Sequence, residues 1–189
     1  MAEGFLRELF RRRTEEGSEP VEVSSAGVSA WDGSPPTPEA VAAAAERDAD
    51  VSSHRARRLT SDQLRQADLV LAMTGDHTER VLGLDPKAAP RTFTLKELVR
   101  LVEALPEAPG ADPPADRLRS RVAAGDRLRV DGFEGNPHDE DVADPIGLSL
   151  ETYRAVAWEL DQLSTRLVDG LLGPEPAPSS LSAMWREGE

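Results

Sequence analysis

The sequence predicts an α/β fold with a parallel sheet, and three observations carry that expectation. Short β-type runs alternate with helical patterns, the arrangement that builds parallel strands joined by crossover helices. The run Leu69-Val70-Leu71-Ala72-Met73 is apolar at every position, as a strand covered on both faces requires. Two capping boxes, Thr60 to Gln63 before that run and Thr94 to Glu97 after it, mark helix starts on either side.

The elements follow in order. Met1 to Arg13 reads as an amphipathic helix, with Phe5, Leu6, Leu9 and Phe10 on one face and Arg7, Glu8 and Arg11 on the other. Val21 to Ser24 is a short strand closed by Ala26-Gly27. Thr37 is the N-cap of a helix that has Pro38 at its first position and runs through Glu39 to about Arg47. Thr60 opens a short helix, Leu69–Met73 is the central strand, and Asp76 to Leu82 is a second short helix. Arg91-Thr92-Phe93 is a short strand, and Thr94 starts a helix reaching about Leu105. After the Pro-rich stretch from Pro106 to Pro114, Leu118 and Val122 give Asp116 to Ala124 one helical face. Gly125 to Asp144 reads as a long polar loop, rich in Asp and Glu. Ser149 caps the strongest helix, whose stripe of Tyr153, Val156, Leu160, Leu163, Leu167 and Leu171 ends near Leu172. Gly173 to Glu189 is Pro- and Ser-rich and is expected to be disordered, so the organisation is one domain over 1–172 and a tail over 173–189.

Composition excludes several classes of function. A net charge of −13 over 189 residues disfavours nucleic acid and anionic membranes as partners. Charged residues in the first turns rule out a signal peptide, and no segment has the length and apolarity of a membrane span, so the expected location is the cytoplasm. The chain contains no cysteine, which removes disulfides, thiolate nucleophiles and zinc–thiolate sites. Nothing indicates an oligomeric state or a cofactor. His138 with Asp139, Glu140 and Asp141 matches no zinc or EF-hand spacing and reads as a solvated acidic loop, so no metal is expected.

Three stretches carry a family resemblance. They are Val21-Glu-Val-Ser-Ser-Ala-Gly27, Val51-Ser-Ser-His-Arg-Ala-Arg-Arg-Leu59, and Asp141-Val-Ala-Asp-Pro-Ile-Gly147 followed by the long helix. In this order they resemble the low-molecular-weight protein tyrosine phosphatases, over about Met1 to Leu172. The resemblance implies a doubly wound parallel sheet of order 2-1-3-4, with Val21–Val23 as strand two and Leu69–Met73 as strand three. The family's first, central strand and its phosphate loop, C-x-x-x-x-x-R-S-P, have no counterpart in these residues. A missing interior strand leaves ladder groups unpaired on both neighbours, at about 1–3 kcal/mol for each one buried.

The resemblance also implies a reaction and its residues. In the family a thiolate attacks phosphorus, loop amides and an arginine fork hold the phosphate, and an aspartic acid protonates the leaving oxygen. Asp144 matches that acid, in an Asp-Pro-Ile-Gly turn suited to holding a carboxyl rigidly. An aromatic residue often follows this proline in the family; Ile146 stacks less well on a phenol ring. Ser25 and His54 match residues that support the phosphate loop, and Trp31 matches an aromatic wall of the substrate cleft. The usual carboxylate partner of the histidine corresponds to Thr74, with Asp76 two residues further on, so that network is altered or shifted. Arg55, Arg57 and Arg58 can draw an anionic substrate, although a solvated helix face is the plainer reading.

The resulting expectation is a protein tyrosine phosphatase acting on a phosphotyrosine protein or small aryl phosphate. Its nucleophile loop lies ahead of Met1, leaving the 189 residues inactive alone. The alternative is a non-catalytic pseudophosphatase that binds partners through the remnant cleft. An arsenate reductase-like role is disfavoured, because that thiol relay needs further cysteines downstream.

Overall fold

Two short parallel strands, Val70–Ala72 (β1) and Thr92–Thr94 (β2), pair in register Val70 to Thr92, Leu71 to Phe93 and Ala72 to Thr94. They sit in a computed structural model that describes residues 1–14, 19–107, 112–133 and 140–174. The helices are Ala2–Arg13 (α1), Pro38–Ala45 (α2), Ser61–Gln66 (α3), Gly75–Leu84 (α4), Leu95–Ala104 (α5), Pro114–Val130 (α6) and Leu150–Leu172 (α7). A 3₁₀ turn, Pro86–Arg91, leads into β2.

Local sequence explains most boundaries. Thr37 accepts a hydrogen bond from the Ala40 amide, with Pro38 filling the first helical position. Both capping boxes form: Thr60 and Gln63 exchange bonds ahead of α3, as do Thr94 and Glu97 ahead of α5. Ser149 caps α7 through the Thr152 amide.

The core is built on α7, which packs against α1, α2, α5 and α6. Leu160, Leu163, Leu167 and Leu171 of its stripe are buried with Phe5 and Phe10 from α1 and Leu98, Leu101 and Val102 from α5. Gly170 permits the α5–α7 approach, because a Cβ built there would lie 2.9 Å from Val102 Cβ. Arginines from two other helices satisfy the carbonyls at the C-terminal end of α7. Arg13 reaches Asp169 and the Gly173 carbonyl, Arg117 the Leu172 carbonyl, and Arg121 the Gly170 carbonyl. Cations here meet the negative end of the helix dipole.

The structure corrects three expectations. Val21 to Ser24 is not a strand: among the described residues it joins no ladder. Its side chains still alternate, Val21 and Val23 half-buried against the core and Glu22 and Ser24 exposed, so the period of two persists without a neighbour to pair. The loop expected from Gly125 is helical to Val130. Gly125 lies inside α6 as a close-packing residue, with its Cβ position 3.4 Å from Leu98 Cδ1. Arg129 holds the extra turn through the Thr92 and Ala89 carbonyls, its guanidinium 4.2 Å from the Phe93 ring centroid. Arg91 belongs to the 3₁₀ turn rather than to a strand. His138, Asp139 and the tail from 175 lie outside the described residues, while Gly173 and Pro174 directly follow α7. No helix among the described residues is long and apolar enough to cross a membrane.

Candidate active site

The C-terminal ends of β1 and β2 gather the N-termini of α4 and α5. Thr74 caps α4 by accepting from the His77 amide at 3.2 Å, and Thr94 caps α5. Three consecutive residues then fasten the Asp144 segment to these ends. Glu140 accepts from Thr94 Oγ1 at 2.8 Å and pairs with Arg100 at 2.5 Å. Asp141 accepts from the Gly75 amide at 2.8 Å, placing a carboxylate at the positive end of α4. Val142, buried, donates its amide to the Met73 carbonyl at 2.8 Å. Asp144 follows two residues later.

Asp144 is exposed, and its Oδ1 accepts from the Ile146 amide at 3.0 Å across the proline. The Leu148 amide donates to the Pro145 carbonyl at 2.9 Å, closing a turn in which Gly147 takes φ +76°. Such a position favours glycine. Ile146 and Leu148 are exposed beside it. Glu97, beneath this edge, has its pKa pushed up by burial, against the pull of Arg129 at 3.6 Å.

A second cluster forms around the first turn of α1. Ser25 Oγ donates to Glu3 Oε2, and His54 Nδ1 lies 3.4 Å from the same oxygen. The carboxylate partner of His54 is therefore Glu3, rather than a residue near Asp76. Nothing in the linear sequence paired Glu3 with His54, because it comes from a different element and meets Ser25 and His54 only after α1 has docked.

Trp31 belongs to the same unit. Its loop is laced to residues 56–59: the Gly27 amide donates to the Arg57 carbonyl, the Leu59 amide to Gly27, and the Gly33 amide to Ala56 at 2.8 Å. Asp32 Oδ1 accepts from the Arg58 amide at 2.6 Å, and Arg57 Nε donates to the Ser25 carbonyl at 2.7 Å. Trp31 itself is 83% exposed. The segment carrying Arg55, Arg57 and Arg58 is not helical, and Arg58 bridges Gly27, which overturns the helix-face reading.

The structure thus brings Ser25 and His54 together on Glu3 and laces the Trp31 loop to the same unit. Among the described residues, no hydrogen bond or ion pair joins Asp144 to that unit. A cleft of about 620 Å³ lies elsewhere, between Asp68, Arg91 and Arg119, and contains none of these residues.

Comparison with known proteins agrees with the residue pattern. The sequence model described as low molecular weight phosphotyrosine protein phosphatase matches residues 1–107. A protein-arginine-phosphatase of Geobacillus stearothermophilus is 31% identical over 151 residues, covering 80% of this chain and 77% of that protein. The crystal structure of a low molecular weight protein tyrosine phosphatase from T. tengcongensis superposes with a TM-score of 0.63 at 31% identity, covering 90% of this chain and 88% of that one. A serine-substituted mutant of the arginine phosphatase YwlE, with its active-site serine phosphorylated, superposes with a TM-score of 0.64 at 28% identity, covering 90% and 85%. With the family model spanning more than half of its length, this chain belongs to the low molecular weight phosphotyrosine protein phosphatase family.

Proposed function

We propose that this chain forms the body of a protein tyrosine phosphatase whose sulfur nucleophile is supplied by polypeptide outside these 189 residues. The observation that supports this reading is the fastening of residues 140–142 to the ends of β1 and β2, which carries Asp144 to the sheet edge where helix N-termini converge. Asp144 acts as the acid: as the thiolate forms its bond to phosphorus and the P–O bond to tyrosine breaks, the carboxyl proton passes to the phenolate oxygen. Water then attacks phosphorus, the S–P bond breaks, and Asp144 takes the proton back. Ser25 and His54, joined through Glu3, support the segment that brings the thiolate. Trp31 forms the wall for the aryl group.

The test compares a form of the gene product extended ahead of Met1 with the 189-residue chain, both on an aryl phosphate. Turnover only in the extended form, abolished when its loop cysteine becomes serine, is the expected result. Equal turnover in both forms removes the thiolate mechanism. Phosphopeptide binding without turnover in either form identifies a non-catalytic binding module instead.

One observation favours a second substrate, phosphoarginine: the Geobacillus relative named a protein-arginine-phosphatase matches over 80% of this chain. The bond broken is then P–N, and Asp144 protonates the guanidine nitrogen. Paired phosphotyrosine and phosphoarginine peptides of one sequence separate the two, through the ratio of their kcat/KM values.

A further inference from the structure

We infer that Arg55, Arg57 and Arg58, together with Trp31, form a docking strip for acidic residues flanking the phosphorylated residue of a substrate protein. This rests on the phosphatase reading for its biological meaning, but not for its physical basis.

The basis is an imbalance of charge. The chain carries −13 overall, and its arginines generally meet carboxylates: Arg13 meets Asp169, Arg47 meets Asp161, Arg154 meets Glu46, and Arg166 meets Glu103. Among the described residues, the three arginines of residues 55–58 do not. Arg55 donates to the carbonyls of Ser52 and His54, and Arg57 donates to the Ser25 carbonyl. Among the described residues, Arg58 engages through its backbone amide, which donates to Asp32. Asp50 and Asp62, the acidic residues nearest on either side in the chain, meet the Ser52 amide and Arg65, and Asp32 accepts from the Arg58 backbone amide. All three arginines are exposed and, among the described residues, none forms an ion pair, so three positive charges lie close together on one short stretch of an acidic protein.

Arg58 forms a parallel bridge with Gly27, and Ala56 exchanges backbone bonds with Gly33 and Ser34, so the stretch runs alongside residues 27–34. Arg55, Arg57 and Arg58 are exposed while His54 and Ala56 are half-buried. The lacing of residues 27–34 to 56–59 fixes Trp31 beside this strip with its indole in solvent. An exposed tryptophan beside arginines offers an apolar plate between charges, a surface that fits a peptide better than a free ion. Acidic overall charge disfavours nucleic acid at the same place.

The test uses the 189-residue chain and two fluorescein-labelled, unphosphorylated peptides that differ only in four glutamates against four lysines around one tyrosine. Anisotropy is read at low ionic strength. The expected result is binding of the glutamate peptide and not of the lysine peptide, weakened by added salt as screening shortens the reach of the charges. The double variant Arg55→Gln/Arg58→Gln is expected to lose about fivefold or more in affinity. Trp31→Ala weakens binding without changing its salt dependence. Arg127→Gln, which removes an exposed charge from α6, leaves it unchanged. Equal binding of both peptides, an unaffected double variant, or tighter binding of a single-stranded oligonucleotide overturns the inference. Because these peptides carry no phosphate, docking without turnover by the extended form sinks the phosphatase reading alone. Turnover without docking sinks this inference alone.

Discussion

Asp144 owes its position to its neighbours more than to itself. Its carboxylate makes one local bond, to the Ile146 amide, and everything that carries it to the sheet edge comes from Glu140, Asp141 and Val142. Asn at 144 keeps an oxygen for that amide bond but has no proton to deliver. Asp144→Asn in the extended form is therefore expected to lower kcat about 100-fold on an alkyl-substituted phenyl phosphate. The loss should shrink on p-nitrophenyl phosphate, whose departing oxygen needs no proton; single-turnover kinetics on both substrates measure it. The Asp-Pro-Ile-Gly turn was legible in the sequence, since proline and glycine announce a tight bend. The fastening was not: Glu140, Asp141 and Val142 read as a solvated acidic stretch, and their partners Thr94, Gly75 and Met73 are distant in the chain. Glu3 was hidden for the same reason.

At the scale of elements, the C-terminal ends of α5 and α7 share one arginine. Arg121 is 9% exposed and donates to the carbonyls of Val102, Pro106 and Gly170. Burial lowers its pKa, but guanidinium stays charged at neutral pH, and among the described residues its partners are carbonyl dipoles. Arg121→Ala removes the guanidinium from these acceptors, of which Val102 keeps the Leu105 amide, and opens a void; a loss of about 2–4 kcal/mol is expected in urea unfolding. The facing contact behaves oppositely, through crowding. Gly170→Ala forces a methyl onto Val102 and is expected to cost about 1–3 kcal/mol, with Val102→Ala recovering part of it in the double variant. Element types were read well where a side chain caps a helix, as at Thr37, Thr60, Thr94 and Ser149. They were misread where tertiary contact decides. Gly125 looked like a breaker and is a close-packing site, and Val21 to Ser24 has a strand's pattern without a strand's partner.

For the whole molecule, acid is expected to destabilise the fold through several surface carboxylates at once. Bonds from Arg11 and Arg12 hold Glu8 at a pKa of about 2, below its ordinary 4.5, and Arg154 lowers that of Glu46. Depressed values in the folded state mean stability present above the unfolded pKa and lost as pH falls through the folded one. That window runs from about 4.5 down to 2 for Glu8, and solvent screening keeps each exposed contribution small. Glu97 has the opposite sign. Burial raises its pKa, so its ionised form costs stability at neutral pH and the cost disappears on protonation. Glu97→Gln keeps an oxygen for the Thr94 amide, so it should raise the melting temperature at pH 7 and give no gain near pH 3. Thermal scans of both proteins across that range show whether the difference closes. The parallel α/β character was legible from alternation alone. The arrangement of helices on α7 was not, because an apolar stripe shows that a helix is covered without naming what covers it.

That dependence on α7 has a consequence for biosynthesis. Phe5 and Phe10 in the first helix and Leu98 in the fifth are all buried with side chains of α7, which leave the ribosome after them. Until residues 150–172 emerge, these apolar faces lack the helix that closes them, and completion of the core awaits α7. Chaperones that hold such faces should therefore occupy this polypeptide through most of its synthesis, and ribosome-stalled chains ending before residue 150 should be digested rapidly by protease.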